Sequence, residues 1–254
     1  MNIFCTDMDN TIIYSYKHDI GEKKIRVELY EKREISFISE KTHSLLKKVS
    51  NEMMIIPTST RTEEQYKRID LKIGNISHAL VCNGGVLLVD GERDKEWYDE
   101  SIRLIKDSKA ELNKAIQILD KDFRRKFELR FIDELFIFTK CENPKETVED
   151  LKKKLDTRFV EVFNNGEKVY VVPTNLSKGM AIKRLREKMH PQYIIAAGDS
   201  EFDVTMVEEA DFGLVPNGFK ELYKTNGKVI EMEAGEVFSE SLLEKCLRIK
   251  AELK

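Results

Sequence analysis

The sequence predicts an α/β fold in which a parallel β-sheet carries a second, inserted α+β domain. Short apolar runs alternate with amphipathic helical segments in residues 1–85 and 173–254, a pattern typical of parallel strands joined by helices. In residues 86–172 the order changes to a helix followed by two strands, and this order occurs twice. We therefore expect one domain built from residues 1–85 and 173–254, with residues 86–172 inserted into it as a separate domain.

The composition is that of an ordinary globular protein. The chain has 254 residues, of which 41% are apolar and 35% charged, and its formal net charge is −3. It therefore shows no basic excess that would favour nucleic acid or an anionic membrane as a partner. The sequence has no run near the roughly 18 apolar residues that a membrane span needs, and its four cysteines form no C-x-x-C motif. We expect a cytoplasmic protein, and the oligomeric state stays open.

The first strand of the chain ends in two carboxylates, Asp7 and Asp9, and a hydroxyl, Thr11. Residues two apart in a strand point the same way, so both carboxylates can face one reaction centre. One of them could bind a hard cation and attack as a nucleophile, while the other holds or releases a proton. The alternative is a plain strand end with an Asx-turn and a helix cap.

The next segment predicts a flap and a helix. Two runs, residues 25–30 and 34–38, flank a polar break and predict a β-hairpin. Ser39 is a candidate N-cap for a helix that extends through Val49.

A second buried strand, residues 53–57, runs into a cluster of hydroxyls that includes Ser59 and ends in Arg61. A capping box at Thr62 predicts the start of the next helix. Hydroxyls and an arginine at this position could bind an oxyanion, and helix capping is the alternative.

The inserted segment predicts a regular series of elements. The first is a hairpin, residues 86–90 with the region of Trp97 and Tyr98, and a helix follows at 101–119. Two paired strands, 127–132 and 135–139, come next, then a second helix at 143–155 and two more paired strands, 159–163 and 168–172.

The alternation of strand and helix returns after the insert. Lys178 precedes a helix, and a buried strand, residues 193–197, then leads into Asp199. Ser200 can cap the helix that follows, in which Asp203 lies one turn from Asp199. An amphipathic helix closes the chain.

Two further strands end in asparagine turns, at Asn83 and at Asn217. In an open parallel sheet, ligands bind at the carboxyl ends of the strands. We therefore expect one edge of the sheet to collect the polar residues at four strand ends, which are Asp7, Ser59, Asn83 and Asp199.

Taken in order, these motifs resemble the haloacid dehalogenase superfamily in its phosphatase form. The resemblance rests on the run Asp7 to Thr11, on Ser59 where the family usually has the threonine of a T-G-R triplet, on Lys178, and on a G-D-x-x-x-D motif with Asp199 and Asp203. The place of the insert is similar to that of the Cof-like and sucrose-phosphatase-like branch, which includes phosphomannomutases. The resemblance implies a Rossmann-like parallel-sheet core and an α+β cap that determines the substrate.

The resemblance also implies a Mg²⁺-dependent phosphomonoester hydrolase that acts on a small soluble phosphorylated metabolite, such as a sugar phosphate. Asp7 would be the nucleophile that forms an aspartyl-phosphate, and Asp9 would protonate the leaving alcohol. The carboxylates of Asp7 and Asp199 and the backbone carbonyl of Asp9 would hold Mg²⁺, while Ser59 and Lys178 would bind phosphoryl oxygens. Supporting roles in the site or its turns fall to Thr11, Arg61, Asn83, Asp203 and Asn217.

Two other functions are compatible with these residues. A phosphomutase would share Asp7 and Asp9, and a requirement for a bisphosphate would distinguish it. A non-enzymatic module that binds phosphorylated metabolites would be favoured by loss of Asp7, Asp9 or Lys178, and all three are present. Residues 13–38 are longer than the usual segment of this branch, so the flap could shape the pocket.

Overall fold

The computed structural model describes residues 1–253. Its strands are, in chain order, β1 (Ile3–Thr6), β2 (Tyr14–Ser15), β3 (Lys24–Tyr30), β4 (Arg33–Ser39), β5 (Met54–Pro57), β6 (His78–Val81), β7 (Val86–Val89), β8 (Glu92–Arg93), β9 (Arg130–Ile132), β10 (Phe136–Lys140), β11 (Val160–Asn165), β12 (Lys168–Pro173), β13 (Ile194–Ala197), β14 (Phe212–Val215) and β15 (Val229–Glu231).

The α-helices are, in the same order, α1 (Glu40–Glu52), α2 (Glu63–Tyr66), α3 (Lys95–Leu104), α4 (Lys109–Asp120), α5 (Pro144–Lys154), α6 (Lys178–Met189), α7 (Val204–Glu209), α8 (Phe219–Leu222) and α9 (Phe238–Glu252). Two short 3₁₀ segments span Lys106–Ser108 and Glu201–Asp203. Across residues 1–253, none of the helices combines the length and apolar character that crossing a membrane requires.

The chain divides into two compact units, and the first contains Met1–Arg93 together with the residues from Lys178 onward. It is built on a five-stranded parallel sheet with the strand order β15-β14-β13-β1-β5. Every residue of the two central strands, β1 and β13, is buried, as expected for strands covered on both faces. Helices α1 and α9 contribute Leu46, Val49, Leu242 and Leu243 to the same buried cluster as Phe4. The predicted α/β class with a central parallel sheet is confirmed.

The strand that leads to Asn83 is not a full member of this sheet. β6 pairs antiparallel with β7, and β7 pairs with β8. A single parallel bridge, Thr58 with Leu80, joins β6 to the residues that follow β5. The turn at Asn83 is nevertheless connected to the end of β5, because the backbone N–H of Asn83 donates to the carbonyl of Ser59 at 3.0 Å.

The predicted flap hairpin is confirmed. β3 and β4 pair antiparallel, and β2 adds a third strand on the other side of β4. The pairing of β3 with β4 shifts register on both sides of Glu28, which marks a bulge. The predicted helix after Ser39 is also confirmed, since the Ser39 hydroxyl accepts a hydrogen bond from the N–H of Thr42 at the start of α1.

The second unit, Asp94–Ser177, has a four-stranded antiparallel sheet with the order β11-β12-β10-β9. Apolar residues of α4 and α5 share one buried cluster with residues of this sheet, and the members include Leu112, Leu119, Ile137, Leu151, Val162 and Val171. The two predicted strand pairs and the helix that starts at Pro144 are confirmed.

The start of this unit differs from the prediction. Trp97 and Tyr98 were placed in a hairpin, but they lie in α3, and the predicted helix over residues 101–119 is two helices separated by a 3₁₀ turn. The Asp94 side chain caps α3 by accepting from the N–H of Trp97 at 3.0 Å.

The sequence predicts an insert of residues 86–172, whereas the second unit begins at Asp94 and ends at Ser177. The first boundary lies later because β7 pairs with β6 in the first unit. The last boundary lies later because β12 runs to Pro173, and the following N–H of Thr174 donates to the carbonyl of Phe159 at 3.0 Å.

Candidate active site

The candidate site is built around Asp7, the residue directly after β1. Its backbone N–H donates to the carbonyl of Ala197, the last residue of β13, at 2.8 Å, so the parallel pairing extends one residue past the end of β1. The Asp7 side chain is buried. Its carboxylate therefore needs a charged or hydrogen-bonding partner.

Lys178, the first residue of α6, supplies that partner. Its ammonium donates to Asp7 Oδ1 and to Asp203 Oδ1, each at 2.6 Å, and the side chain is 1% exposed. Burial lowers the pKa of Lys178, but the charges of Asp203 and Asp7 outweigh that effect and raise it, so the group is an ammonium.

Asp203 holds both Lys178 and the loop that carries Asp199. Its second carboxylate oxygen, Oδ2, accepts from the N–H of Asp199 at 3.2 Å, and from the N–H and hydroxyl of Ser200 at 3.0 and 2.7 Å. Gly198 allows this close packing, since a Cβ there would lie 2.3 Å from the Cβ of Asp203. The predicted cap at Ser200 is confirmed as a capping box with Asp203.

A hydrogen bond joins Thr11 to Asp199 in the same group of buried and half-buried residues. The buried Thr11 hydroxyl donates to Asp199 Oδ1 at 3.0 Å. The contact links the loop after β1 to the loop after β13, two segments 188 residues apart in the chain.

The acids of this cluster suit a hard divalent cation. One carboxylate oxygen from each of Asp7, Asp199 and Asp203 lies within 4.8 Å of the others. Three carboxylates face one ammonium, that of Lys178, so the group carries an excess of negative charge. Oxygen ligands and uncompensated negative charge are what Mg²⁺ requires in proteins. Both oxygens of Asp203 already accept hydrogen bonds, which leaves Asp7 and Asp199 as the better ligands.

Burial and the neighbouring negative charges raise the pKa values of two of these acids. Burial raises the pKa of Asp7 well above its usual range, and Asp203, Asp199 and Asp9 add to the rise while Lys178 opposes it. Burial raises the pKa of Asp199 to about 7, with a further contribution from Asp203, although the hydrogen bond from Thr11 opposes the shift. A bound divalent cation would favour the ionised form of both groups.

Asp9 is held by Arg61, which also binds a buried glutamate of the flap. Arg61 donates from Nε to Asp9 Oδ2 and from Nη2 to Asp9 Oδ1, both at 2.7 Å. It donates to Glu28 from Nη1 at 2.8 Å and from Nη2 at 3.0 Å. Burial lowers the pKa of Arg61, but hydrogen bonds to Asp9 and Glu28 outweigh that effect and raise it.

Of the other predicted site residues, Ser59 and Asn83 lie together and Asn217 lies apart from them. Ser59 is buried directly beyond β5, and its hydroxyl accepts from the N–H of Arg61 at 3.2 Å. Asn83 is buried in the turn after β6, with a positive φ of 59°. Asn217 is exposed in the turn after β14, a strand that neighbours β13.

Glu28 is a residue of the site that the sequence pattern does not reveal. In a strand with regular alternation, Glu28 and Arg26 share the polar face and Val27 faces the core. The bulge breaks that alternation, and both Val27 and Glu28 are buried. No local signal in the sequence distinguishes this residue from the other flap acids.

Comparison with known proteins identifies the family. A family model described as haloacid dehalogenase-like hydrolase matches residues 91–234. A phosphoglycolate phosphatase of Archaeoglobus fulgidus is 26% identical over 187 residues, which are 70% of this chain and 76% of the relative. A phosphoglycolate phosphatase of Methanosarcina acetivorans is 26% identical over 178 residues, which are 67% of this chain and 74% of the relative.

Solved structures share the fold. The sucrose-phosphatase of Synechocystis sp. PCC6803, solved with sucrose and phosphate, matches with a TM-score of 0.68 at 14% identity, over 97% of this chain and 96% of that one. A haloacid dehalogenase-like hydrolase of B. subtilis matches with a TM-score of 0.60 at 13% identity, over 98% of this chain and 100% of that one.

The family model covers more than half of the chain, which therefore belongs to the haloacid dehalogenase-like hydrolases. The predicted enzyme class, a phosphatase, is confirmed by the family and the curated relatives.

Proposed function

We propose that the protein is a Mg²⁺-dependent phosphomonoester hydrolase that acts on a small soluble phosphorylated metabolite, such as a sugar phosphate. The observation that carries the proposal is the buried cluster in which Lys178 bonds to Asp7 and Asp203 at 2.6 Å, with an oxygen of Asp199 within 4.8 Å of theirs. This cluster combines a nucleophile, a phosphate-binding cation and ligands for a metal ion at the carboxyl ends of parallel strands.

In the proposed reaction, an oxygen of Asp7 forms a bond to phosphorus while the bond from phosphorus to the leaving oxygen breaks. Asp9 gives its proton to the leaving oxygen, so that an alcohol departs. Asp9 then takes a proton from water as that water attacks phosphorus, which releases inorganic phosphate and restores the Asp7 carboxylate.

The remaining residues bind and orient. Lys178 and Ser59 bind the phosphoryl oxygens, on which negative charge is spread in the transition state. Asp7, Asp199 and the backbone carbonyl of Asp9 would hold Mg²⁺, which when bound supplies a Lewis acid that offsets the charge of the phosphate. Asp203 orients Lys178, and Thr11 orients Asp199.

The second unit, Asp94–Ser177, is the proposed cap that selects the substrate. The names of the curated relatives and of the structural neighbour support a small phosphorylated compound as the substrate. A cytoplasmic setting is part of the proposal, and it is supported by four buried cysteines, none of which is part of a disulfide.

The test is release of inorganic phosphate from 2-phosphoglycolate, sugar phosphates and nucleotides, with Mg²⁺ and with a chelator. We expect turnover that needs Mg²⁺ and falls by at least about a thousandfold in Asp7→Asn, because the nucleophile is lost. Asp107→Asn, at an exposed position in the other unit, is the matched control and should retain full activity. A folded wild type that releases no phosphate from any of these compounds would contradict the proposal.

A further inference from the structure

Glu28 is a charged residue of the flap whose side chain is buried next to the candidate site. It is 2% exposed, and the bulge in β3 lets it face inward together with its neighbour Val27. Its carboxylate accepts from the hydroxyl of Ser36 at 2.7 Å and from two nitrogens of Arg61. The Nε of Arg68 lies 3.5 Å from the same carboxylate. Burying a carboxylate is costly, and here the cost is offset by partners that lead directly to the site.

The guanidinium of Arg61 is fully engaged. A guanidinium has five N–H donors in a fixed plane. Five acceptor contacts surround this one, two from Asp9, two from Glu28 and one from the carbonyl of Gln65 at 3.4 Å. Glu28 and Asp9 thus occupy neighbouring edges of one rigid plane, so the position of Glu28 determines where Arg61 presents its donors to Asp9.

The contact with Arg61 constrains the orientation of the Asp9 carboxylate. Its side chain is 50% exposed, so packing alone does not restrict the rotation of its carboxyl group. Arg61 contacts both oxygens of the Asp9 carboxylate, each at 2.7 Å, and so restricts the plane of that group. An acid or base that is held in place before the reaction avoids the entropy cost of orienting it at each turnover.

We propose that Glu28 is a positioning residue for Asp9, acting through Arg61, so that the flap contributes to proton transfer at the leaving group without contacting the substrate. This inference rests on the proposed phosphatase function. The alternative is a structural role only, in which Glu28 anchors the flap and has no selective effect on the steps that use Asp9.

The experiment compares kcat/KM for 4-nitrophenyl phosphate and for phenyl phosphate, two esters of nearly the same shape. Phenol is the weaker acid, so its departure depends more on protonation by Asp9. In Glu28→Gln we expect the ratio of the two kcat/KM values to rise about tenfold in favour of the nitrophenyl ester, since general acid catalysis is worth roughly 100- to 10,000-fold and is only partly lost. Asp9→Asn should raise the same ratio further.

Two more variants complete the design. Glu34→Gln changes an exposed acid of the same hairpin that pairs with Arg26, and it should leave the ratio unchanged. Ser36→Ala removes one hydrogen bond to Glu28 and should raise the ratio about threefold; it replaces Glu28→Gln if that variant does not fold.

The outcomes separate the inference from the function on which it rests. A ratio within twofold of wild type in the folded variants, or an equal loss on both esters, would assign Glu28 a structural role and overturn the inference. A wild type whose hydrolysis of 4-nitrophenyl phosphate is unaffected by Asp7→Asn would instead overturn the proposed function.

Discussion

Lys178 shows how a single buried charge organises its surroundings. The ammonium is held between Asp7 and Asp203 at 2.6 Å from each, and its side chain is almost completely buried. Because desolvating an isolated ammonium is prohibitively costly, the two carboxylates are a condition for placing Lys178 there. Asp203 in turn is fixed by three donors from Asp199 and Ser200. Asp7 and Lys178, the proposed nucleophile and phosphate-binding cation, are therefore held by residues that lie on both sides of the second unit in the sequence.

The backbone of Gly198 packs closely against the side chain of Asp203, and this packing predicts the effect of adding a methyl group at Gly198. In Gly198→Ala the new Cβ would lie 2.3 Å from Asp203 Cβ, so Asp203 must move and weaken its bonds to Lys178 and Ser200. We expect a destabilisation of about 2 to 3 kcal/mol, measured by urea unfolding, and a fall in kcat of at least about tenfold.

Gly227→Ala is the matched control. A Cβ at Gly227 meets no heavy atom within 4 Å, and the residue needs no positive φ. Its free energy of unfolding should stay within about 0.5 kcal/mol of wild type. If Gly198→Ala were equally mild, the tight packing on Asp203 would not be a constraint on the site.

At the scale of elements, an arginine connects two helices of the second unit. Arg124 follows α4, and it donates to Asp122 from Nη2 at 2.7 Å and to Asp150 of α5 from Nη1 at 3.0 Å. Its side chain is only 10% exposed, so solvent screens these pairs less than it screens typical surface pairs. The contact fixes the loop after α4 against α5.

This contact predicts a pH-dependent contribution to stability. Hydrogen bonds from Arg124 lower the pKa of Asp122 below its usual value of 3.8. Asp122 therefore stabilises the folded state at all pH values above the pKa of the unfolded chain, and this stabilisation is lost as the pH falls through the lower pKa of the folded state. Asp122→Asn should cost about 1 to 2 kcal/mol at pH 7, and the difference from wild type should shrink below pH 4.

The measurement is the urea midpoint of wild type and variant between pH 7 and pH 3. Asp120→Asn serves as the control, because the Asp120 side chain is 69% exposed and pairs with Arg125 at 3.3 Å, and the variant should change the midpoint little at any pH. A constant difference for Asp122→Asn across this range would show that ionisation of Asp122 does not contribute.

At the scale of the whole molecule, charge is distributed unevenly although the net charge is only −3. Most ion pairs lie on the surface, where each contributes little. The cluster of Asp7, Asp199 and Asp203 is buried or half-buried and has Lys178 as its ammonium partner. Binding of a divalent cation there should stabilise the folded state, because the unfolded chain has no such site.

We expect Mg²⁺ at 100 times its Kd to stabilise the wild type by about 2.7 kcal/mol and to raise its Tm by roughly 5 to 10 °C. Asp199→Asn should largely remove the increase, because it replaces a charged ligand with a neutral one. Differential scanning calorimetry with Mg²⁺ and with chelator measures both values, and Asp107→Asn should respond as the wild type does. An equal shift in Asp199→Asn would place the cation elsewhere.

Much of the fold and several site contacts could be predicted because their signals are local. The caps at Ser39, Thr62 and Ser200 act over three residues, and each appears in the structure. Continuous apolar runs predicted β1 and β13 because a strand buried on both faces tolerates few polar residues. Parallel strands then bring their carboxyl ends to one edge, which is why Asp7 and Asp199 could be placed together before the structure was known.

Local signals in the chain therefore predict the parallel sheet, the helix starts and the acids at the strand ends. Which of those groups touch follows only from the packing of the folded chain. Lys178 and Asp7 are 171 residues apart, and Arg61 and Glu28 are 33 apart. Such contacts are set by how whole elements pack, and a bulge of one residue reverses the face of Glu28 without changing the local pattern.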